Sequence, residues 1–122
     1  MSLTLSSLDH TWLIDLDGTV LRHNGHLGTG DELLPDVHAF WQSIPDADTI
    51  ILLSAREEKY RNSTLEFVTK SGLRFDHAIF SLPHGERVLI NDVKPRGLKT
   101  AIAVNVARDA GAGTLVPLMI ES

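Results

Sequence analysis

The sequence predicts an α/β domain with three layers, in which a central parallel sheet lies between helices. Strand-like apolar segments alternate along the chain with segments of helical periodicity, and this alternation is typical of parallel strands joined by helical crossovers. The segment Thr49–Leu53 is apolar at every position after its threonine, as expected for a strand that is covered on both faces. A chain of 122 residues has room for one core, so residues 1–122 are interpreted as a single domain.

The first half of the chain is predicted to form a strand, a small hairpin and a helix ahead of Thr49–Leu53. The first strand covers Thr11–Asp15, where an apolar run stops at a carboxylate. Residues 20–27 are predicted to form the hairpin because they contain Asn-Gly, the strongest two-residue turn signal. Asp31 is predicted to cap a helix that continues to about Ser43 and buries its apolar side chains.

The second half is predicted to contain one helix and several strands. Residues 57–70 form the helix, which Gly72 ends. For residues 100–106 the alternation of apolar side chains favours a strand, although the alanines there would also fit a helix. The apolar tail at 115–120 is expected to form a last strand or to contact a partner subunit. The remaining strands are predicted at residues 77–80 and 87–90.

The composition excludes several classes of function. The formal net charge is −5, so the chain lacks the basic surface expected for binding to nucleic acid or to an anionic membrane. It contains no cysteine, which excludes disulfides, thiolate metal sites and a cysteine nucleophile. Its N-terminus lacks the features of a signal peptide, and no apolar stretch approaches the roughly 20 residues that span a bilayer. We therefore expect a cytoplasmic protein that binds neither nucleic acid nor a membrane.

The strongest chemical signal is a pair of carboxylates at the end of the first strand. Asp15 and Asp17 are followed by Gly18 and Thr19, and glycine permits backbone torsions that a residue with a side chain resists. Alternation along the strand places one carboxylate at its tip and the other where the chain turns. Such a pair suits Mg²⁺-assisted phosphoryl transfer, in which one carboxylate attacks and the other handles a proton. The alternative is that a strand of the core ends in an acidic turn that has no chemical role.

Polar residues follow the end of each of three predicted strands. In a parallel sheet, ligands bind beyond the carboxyl ends of the strands, where the strand order reverses. We therefore expect these side chains to converge on one site. They are Asp15 and Asp17, Ser54 and Arg56, and Asn91 and Asp92.

These motifs resemble those of the haloacid dehalogenase-like (HAD) hydrolases over the whole length of the chain. Asp-x-Asp-Gly-Thr corresponds to the first HAD motif, Ser54 to the second, and Asn91-Asp92 to the acidic fourth motif. The resemblance implies a Rossmann-like fold and a phosphatase of a small metabolite such as a sugar phosphate. It also implies that Asp15 becomes an aspartyl-phosphate, while Asp17 protonates the leaving oxygen and then activates water.

The same resemblance implies a cofactor and a set of substrate contacts. Mg²⁺ is expected to bind Asp15, the backbone carbonyl of Asp17, and Asp92, which supply the hard oxygen ligands that this ion prefers. A hydroxyl at the end of the second strand is expected to hydrogen-bond the transferring phosphoryl group. The expected contacts with the substrate are Gly18, Thr19, Ser54 and Arg56.

The third HAD motif, a lysine that neutralises the nucleophile and the phosphate, has three candidates. Arg87 precedes a predicted strand and should lie at its opposite end, about 15 Å from the site. Lys70 lies near a helix end, where a cation usually faces solvent. Lys94 follows Asp92 at the expected edge, and we favour it as the catalytic cation over a solvated lysine. Arg56 is either a second contact with the phosphate or a surface residue at the start of a helix.

The spacing of the motifs leaves no room for the cap domain that many HAD enzymes insert. Only the hairpin and one helix lie between the first and second motifs, and only a helix, a short strand and a loop follow the second. A capless site is open, so either the substrate is large or a neighbouring subunit closes the site. The tail at 115–120 is a candidate contact in such a homo-oligomer.

Two other classes of protein are alternatives. A phospho-acceptor receiver domain of a signalling protein also has acids at strand ends and a Lys-Pro pair, as at Lys94-Pro95. It places its acceptor aspartate on a middle strand, however, whereas here the acidic motif opens the chain. A HAD-like domain without activity would serve binding or assembly, and only the uncertain third-motif cation favours it.

Overall fold

A computed structural model describes residues 3–111 and, as backbone, residues 118–121. The chain folds as a mixed α/β structure around a three-stranded parallel sheet. The strands lie in the order β2-β3-β4, where β2 is Thr11–Asp15, β3 is Thr49–Leu53 and β4 is His77–Ile79. The predicted α/β class and the parallel pairing are confirmed, although the main sheet has fewer strands than expected.

Two further strands, β1 at Leu3–Ser6 and β5 at Leu118–Glu121, form a separate parallel pair. β1 has no counterpart among the predicted elements. The last predicted strand, at residues 115–120, lies partly outside the described residues, and its described part belongs to β5. No helix in the described part of the chain is long and apolar enough to cross a membrane.

The carboxyl ends of β2, β3 and β4 meet at one edge of the sheet. Asp15 is paired with Leu53, and Leu53 is paired with Ile79. Because the strands are parallel and in this register, Ser54 begins its loop directly beside the end of β2. β2 and β3 have the predicted bounds, because each is an apolar run that stops at a polar residue.

Two α-helices, α1 at Val37–Ser43 and α2 at Arg61–Lys70, complete the core. α1 buries side chains three and four positions apart, so they share one face of the helix. α2 follows a 3₁₀ turn at Glu58–Tyr60, and the two together cover most of the helix predicted at 57–70. Helices and sheet contribute to one apolar cluster, which includes Ile14, Val37, Phe40, Trp41, Ile50, Leu52 and Val68.

The helix predicted from Asp31 is shorter than expected, because α1 begins only at Val37. Asp31 does not cap it, since its carboxylate accepts hydrogen bonds from Arg56. A buried guanidinium needs a carboxylate partner more than an exposed helix end needs a cap. The residue before α1 is Asp36, which has a left-handed backbone with φ of 61°.

The hairpin predicted at residues 20–27 is wider than expected. The Arg22 N–H donates to the Glu32 carbonyl at 3.0 Å, so the two arms pair across a loop much longer than two residues. Asn24 does adopt the left-handed conformation, with φ of 53°. It is followed by a 3₁₀ turn at Gly25–Leu27 rather than by a returning strand.

The strands predicted at residues 87–90 and 100–106 are absent from the described structure. Both segments are largely exposed, and Ile90 is 88% exposed. The physical reason in the first segment is Arg87, which is bound to Asp15 at the carboxyl end of β2. A strand parallel to β2 would have to begin at the opposite edge of the sheet. An apolar segment forms a strand only where a neighbouring strand is placed to pair with it.

Candidate active site

Asp15 ends β2 and presents its carboxylate at the edge of the sheet, with 36% of its side chain exposed. Its Oδ2 atom accepts a hydrogen bond of 3.1 Å from the Thr19 hydroxyl. Gly18 makes this contact possible, because its φ of 83° turns the chain back after the strand. Arg87 donates to Oδ1 at 2.7 Å. This carboxylate therefore lies between a hydroxyl and a guanidinium while remaining open to solvent.

The carboxylate of Asp17 is clamped by Arg56. Nε of Arg56 donates to Oδ2 at 2.9 Å and Nη2 donates to Oδ1 at 2.8 Å, which is a bidentate pair. The Asn24 N–H also donates to Oδ1, at 3.2 Å. Burial by itself raises the pKa of Asp17, but the hydrogen bonds and the charge of Arg56 outweigh it, so the pKa lies below its ordinary value. Asp17 is therefore ionised at neutral pH.

Arg56 is almost fully buried, with 1% of its side chain exposed. Besides Asp17 it binds Asp31, to which Nη1 donates at 3.0 Å and Nη2 at 2.7 Å. Nη1 also donates to the Thr64 hydroxyl at 2.9 Å. An arginine has five N–H donors, and these bonds engage all five of them. Burial lowers the pKa of Arg56, but the two carboxylates raise it by more, so the guanidinium stays charged.

Ser54 and Arg56, which were predicted to contact substrate, are instead bonded within the protein. Ser54 follows β3 as predicted, but it is only 1% exposed. Its hydroxyl oxygen accepts a hydrogen bond of 3.0 Å from the Arg56 backbone N–H. In this conformation Arg56 has no donor free for a substrate, and the Ser54 hydroxyl is closed off from solvent.

The cation beside Asp15 is Arg87 rather than Lys94. Lys94 lies in an exposed loop, and its ammonium forms no ion pair with any described residue. Lys70 pairs with Glu66 at 2.7 Å on the surface, as expected for a solvated helix end. The prediction that Arg87 lies at the far end of the sheet is wrong, because it assumed a strand that does not form.

The structure does not group Asp92 with Asp15 and Asp17. Asp92 is exposed, and its backbone carbonyl accepts a hydrogen bond from the Thr100 hydroxyl. Across residues 3–111, no group of three or more acidic or histidine side chains is placed to hold a metal ion. Two oxygen donors of the predicted set do lie at the end of β2. They are the Asp15 carboxylate and the Asp17 backbone carbonyl, which accepts no hydrogen bond from the described residues.

His26 lies against the ring of Tyr60, edge to face, with the ring centroids 4.7 Å apart. Its Nδ1 atom is buried and has no hydrogen-bond partner among the described residues. Burial and the charge of Arg56 lower the pKa of His26, although Asp17 and Asp31 act in the opposite direction. His26 is therefore neutral near pH 7.

Three residues of the site have no local signal in the sequence. Asp31 and Thr64 reach Arg56 from 25 and 8 positions away. The Asp109 N–H donates to the Gly18 carbonyl at 2.8 Å, so a distant turn fixes the loop after β2. One general rule would have pointed to Asp31: a buried arginine requires carboxylate partners, and an acid of the preceding loop is a natural candidate.

No family model, no curated protein and no solved structure matches this chain. The chemistry of the site therefore follows from its own geometry. That geometry consists of an open carboxylate flanked by a cation and a hydroxyl, next to a second carboxylate that a buried guanidinium holds. Together they define an α/β protein with a charged site at the carboxyl edge of a parallel sheet.

Proposed function

We propose that this protein is a phosphatase of the HAD type, which hydrolyses a small phosphorylated substrate through an aspartyl-phosphate on Asp15. The main support is the pairing of an exposed carboxylate with a guanidinium at the carboxyl edge of the sheet. Asp15 is open to solvent, and Arg87 lies 2.7 Å from it. An arginine at this place is suited to bind the phosphate anion that the carboxylate would attack. The finer fold assignment in this proposal is a Rossmann-like, three-layer HAD domain without a cap.

In the proposed reaction an oxygen of Asp15 attacks phosphorus while the bond from phosphorus to the leaving oxygen breaks, and that oxygen takes up a proton from solvent. Arg87 reduces the repulsion between the two anions, because its guanidinium can bind both the carboxylate and a phosphate oxygen. Water then attacks the phosphorus of the aspartyl-phosphate and loses a proton to solvent. The bond from phosphorus to Asp15 breaks, which releases inorganic phosphate and restores the Asp15 carboxylate. Asp17 orients this water through the oxygen lone pairs that Arg56 leaves unused.

The proposal includes Mg²⁺ as the cofactor. The Asp15 carboxylate and the Asp17 backbone carbonyl are hard oxygen donors, as this ion prefers, and Mg²⁺ commonly keeps several waters beside one or two protein ligands. Binding of Mg²⁺ at this position therefore does not require Asp92. A bound Mg²⁺ would supply further positive charge against the phosphate. Because Arg87 occupies one oxygen of Asp15, we expect the ion and the guanidinium to compete for that carboxylate.

A small metabolite in the cytoplasm is the proposed substrate, and neither nucleic acid nor membrane is a proposed partner. The net charge of −5 disfavours a polyanionic surface as the substrate. The site lies at an open edge of the sheet, and a second subunit that covered this edge would exclude water from the site. Exposed apolar side chains such as Val88 and Ile90 are available for contact within a homo-oligomer.

Phosphate release from p-nitrophenyl phosphate, measured with Mg²⁺ and with EDTA, tests the proposal. Asp15→Asn should abolish the release and retain the fold, because an amide does not form an acyl phosphate. The matched control is Asp9→Asn, which makes the same change at an exposed position and should retain activity. Equal release by the wild type and by Asp15→Asn would rule out the proposed nucleophile.

One observation favours a second candidate, a HAD-like domain that binds phosphate without turnover. Ser54 is buried and Arg56 has no free donor, so neither of these two expected contacts is available to a substrate. Such a domain would bind inorganic phosphate in a calorimetric titration but release none from any ester. A receiver-like domain would instead retain a phosphoryl group after incubation with acetyl phosphate, which mass spectrometry of the intact protein would detect.

A further inference from the structure

We infer that this site takes phosphate monoesters that carry a second anionic group, and that Arg108 binds that group. The second group is a carboxylate or another phosphate. The inference rests on the proposed function and names its class of substrate. It comes from a turn at residues 107–110, in which the Ala110 N–H donates to the Ala107 carbonyl at 3.1 Å. This turn lies against the loop that follows β2, and the proposed reaction does not use it.

Asp109 fixes the turn to the loop that follows β2 through two hydrogen bonds. Its N–H donates to the Gly18 carbonyl at 2.8 Å, and its Oδ1 atom accepts a hydrogen bond of 2.8 Å from the His23 N–H. The backbone of Asp109 is left-handed, with φ of 63°, which aspartate tolerates better than most residues with a side chain. The neighbouring Arg108 therefore has a defined place beside the site.

The aliphatic part of Arg108 packs against Gly18. A Cβ added to Gly18 would lie 3.2 Å from Cγ of Arg108 and 3.9 Å from its Cα. Gly18 is followed by Thr19, whose hydroxyl donates to the Asp15 carboxylate at 3.1 Å. Arg108 thus adjoins the loop that holds the proposed nucleophile. A substrate whose reacting phosphate lies at Asp15 would have its remaining part within reach of this arginine.

The guanidinium of Arg108 is available to a ligand. Arg108 is exposed, and its guanidinium forms no ion pair or hydrogen bond with any residue that the structure describes. Five of the other six arginines are paired with carboxylates, and the sixth is Arg96, in an exposed loop. Arginine binds carboxylates and phosphates through paired N–H donors. An anionic group is therefore the ligand that the chemistry of this side chain favours.

The two exposed arginines of the site would bind different parts of the substrate. Arg87 donates to Asp15 at 2.7 Å, so it is placed to meet the phosphate that this carboxylate attacks. Arg108 adjoins the same loop without a carboxylate of its own among the described residues, so it is placed to meet a second anion. That second group takes no part in breaking or forming bonds. It holds the substrate while the reaction proceeds at Asp15.

The ratio of kcat/KM within two matched pairs of compounds tests the inference, with phosphate release measured in the presence of Mg²⁺. The first pair is 3-phosphoglycerate and glycerol 3-phosphate, which differ in a carboxylate. The second pair is fructose 1,6-bisphosphate and fructose 6-phosphate, which differ in a phosphate. We expect the wild type to prefer the more anionic member of at least one pair by roughly 10- to 100-fold, as for one hydrogen bond to a charged group. The pair that shows this preference identifies the second group as a carboxylate or a phosphate.

Arg108→Gln should bring the preferred ratio close to one. Most of the change should appear in KM, because a group remote from the reacting atoms binds the ground state and the transition state alike. Arg96→Gln removes the same charge at another exposed position and should keep the ratio of the wild type.

Two substitutions of Asp109 test whether the turn holds Arg108 in place. Asp109→Ala removes the acceptor of the His23 N–H and should lower the preferred ratio. Asp109→Asn retains an oxygen at this position and tolerates the left-handed backbone, so it should keep most of the preference. A purely structural effect would instead lower the rates for both members of a pair and leave their ratio unchanged.

A wild-type ratio close to one in both pairs would overturn the inference, and so would a preference that survives in Arg108→Gln. Hydrolysis of p-nitrophenyl phosphate without turnover of any of the four compounds would also overturn it. The proposed function would stand in each of these cases, as long as Asp15→Asn abolishes the release that is observed. If no compound releases phosphate above the level of Asp15→Asn, the proposed function fails and the inference fails with it.

Discussion

Arg87 and Asp15 are 72 positions apart in the sequence, yet Nη1 of Arg87 lies 2.7 Å from Oδ1 of Asp15. Both side chains are 36% exposed, so the pair is too well hydrated to contribute much to stability. An exposed ion pair at the carboxyl edge of a parallel sheet is, however, well placed to meet an anionic ligand. The pair therefore has more consequence for function than for folding.

Replacing Arg87 by glutamine should lower kcat/KM for p-nitrophenyl phosphate by roughly 10- to 100-fold, which corresponds to one lost hydrogen bond to a charged group. The physical reason is that nothing else among the described side chains offsets the charge of Asp15. The free energy of unfolding, measured by urea denaturation, should change by less than about 1 kcal/mol.

Two matched variants make the Arg87 test specific. Arg96→Gln removes the same charge from another exposed arginine and should leave kcat/KM nearly unchanged. Lys94→Gln distinguishes the cation favoured by the sequence from the one that the structure places at Asp15. If Lys94→Gln loses activity and Arg87→Gln does not, the proposed role of Arg87 is incorrect.

Arg56→Met should destabilise the fold by about 3–5 kcal/mol, because it leaves the carboxylates of Asp17 and Asp31 without their buried partner. The measurement is the urea midpoint at neutral pH. The double variant Asp31→Asn with Arg56→Met should recover part of the loss, since one unpaired charge is removed with the guanidinium. Additive effects of the two changes would contradict the pairing.

Gly18→Ala should destabilise the protein by about 1–3 kcal/mol and lower its activity. The φ of 83° at this position strains any residue with a side chain, and an added Cβ would lie 3.2 Å from Cγ of Arg108. The strain falls on the turn that brings Thr19 to Asp15. Gly85→Ala is the control, because its Cβ would meet nothing within 4 Å, and a comparable loss there would argue against the turn as the cause.

Acid should weaken the fold partly through Asp48, which is only 3% exposed. Its oxygens accept hydrogen bonds from Nε1 of Trp12 at 2.9 Å and from Nδ1 of His10 at 2.7 Å. Burial alone raises the pKa of Asp48, but these hydrogen bonds prevail, so the pKa lies below the ordinary 3.8. A carboxyl of this kind stabilises the fold above its unfolded pKa, and the contribution is lost as the pH falls through its folded pKa.

The free energy of unfolding should therefore decline below about pH 4, and less steeply in Asp48→Asn than in the wild type. Urea denaturation between about pH 6 and about pH 2 provides the measurement. Asp9→Asn, at an exposed position, should keep the slope of the wild type. An acid slope that is the same in all three proteins would mean that Asp48 is not a source of the pH dependence.

Local patterns predicted β2, β3 and most of α2, together with the position of Asp15 at a strand end. Each of these depends on hydrophobic periodicity within a few residues, which acts wherever the segment lies in the fold. The predictions failed for residues 87–90 and 100–106, where an apolar pattern was present but no strand among the described residues pairs with it. The prediction that Asp31 caps a helix also failed, because the ion pair of its carboxylate with the buried Arg56 is more favourable than a hydrogen bond to a helix end.

The amino-acid sequence alone determined that an apolar strand delivers Asp15 to the edge of a parallel sheet and that Ser54 ends the strand beside it. Those outcomes follow from burial of short apolar runs, which is a local property of the chain. Only the tertiary structure decided that Arg87 meets Asp15 and that Arg56 holds Asp17 in its charged form. Ion pairs join residues that packing brings together from distant positions, and their pKa shifts depend on burial that no short segment specifies.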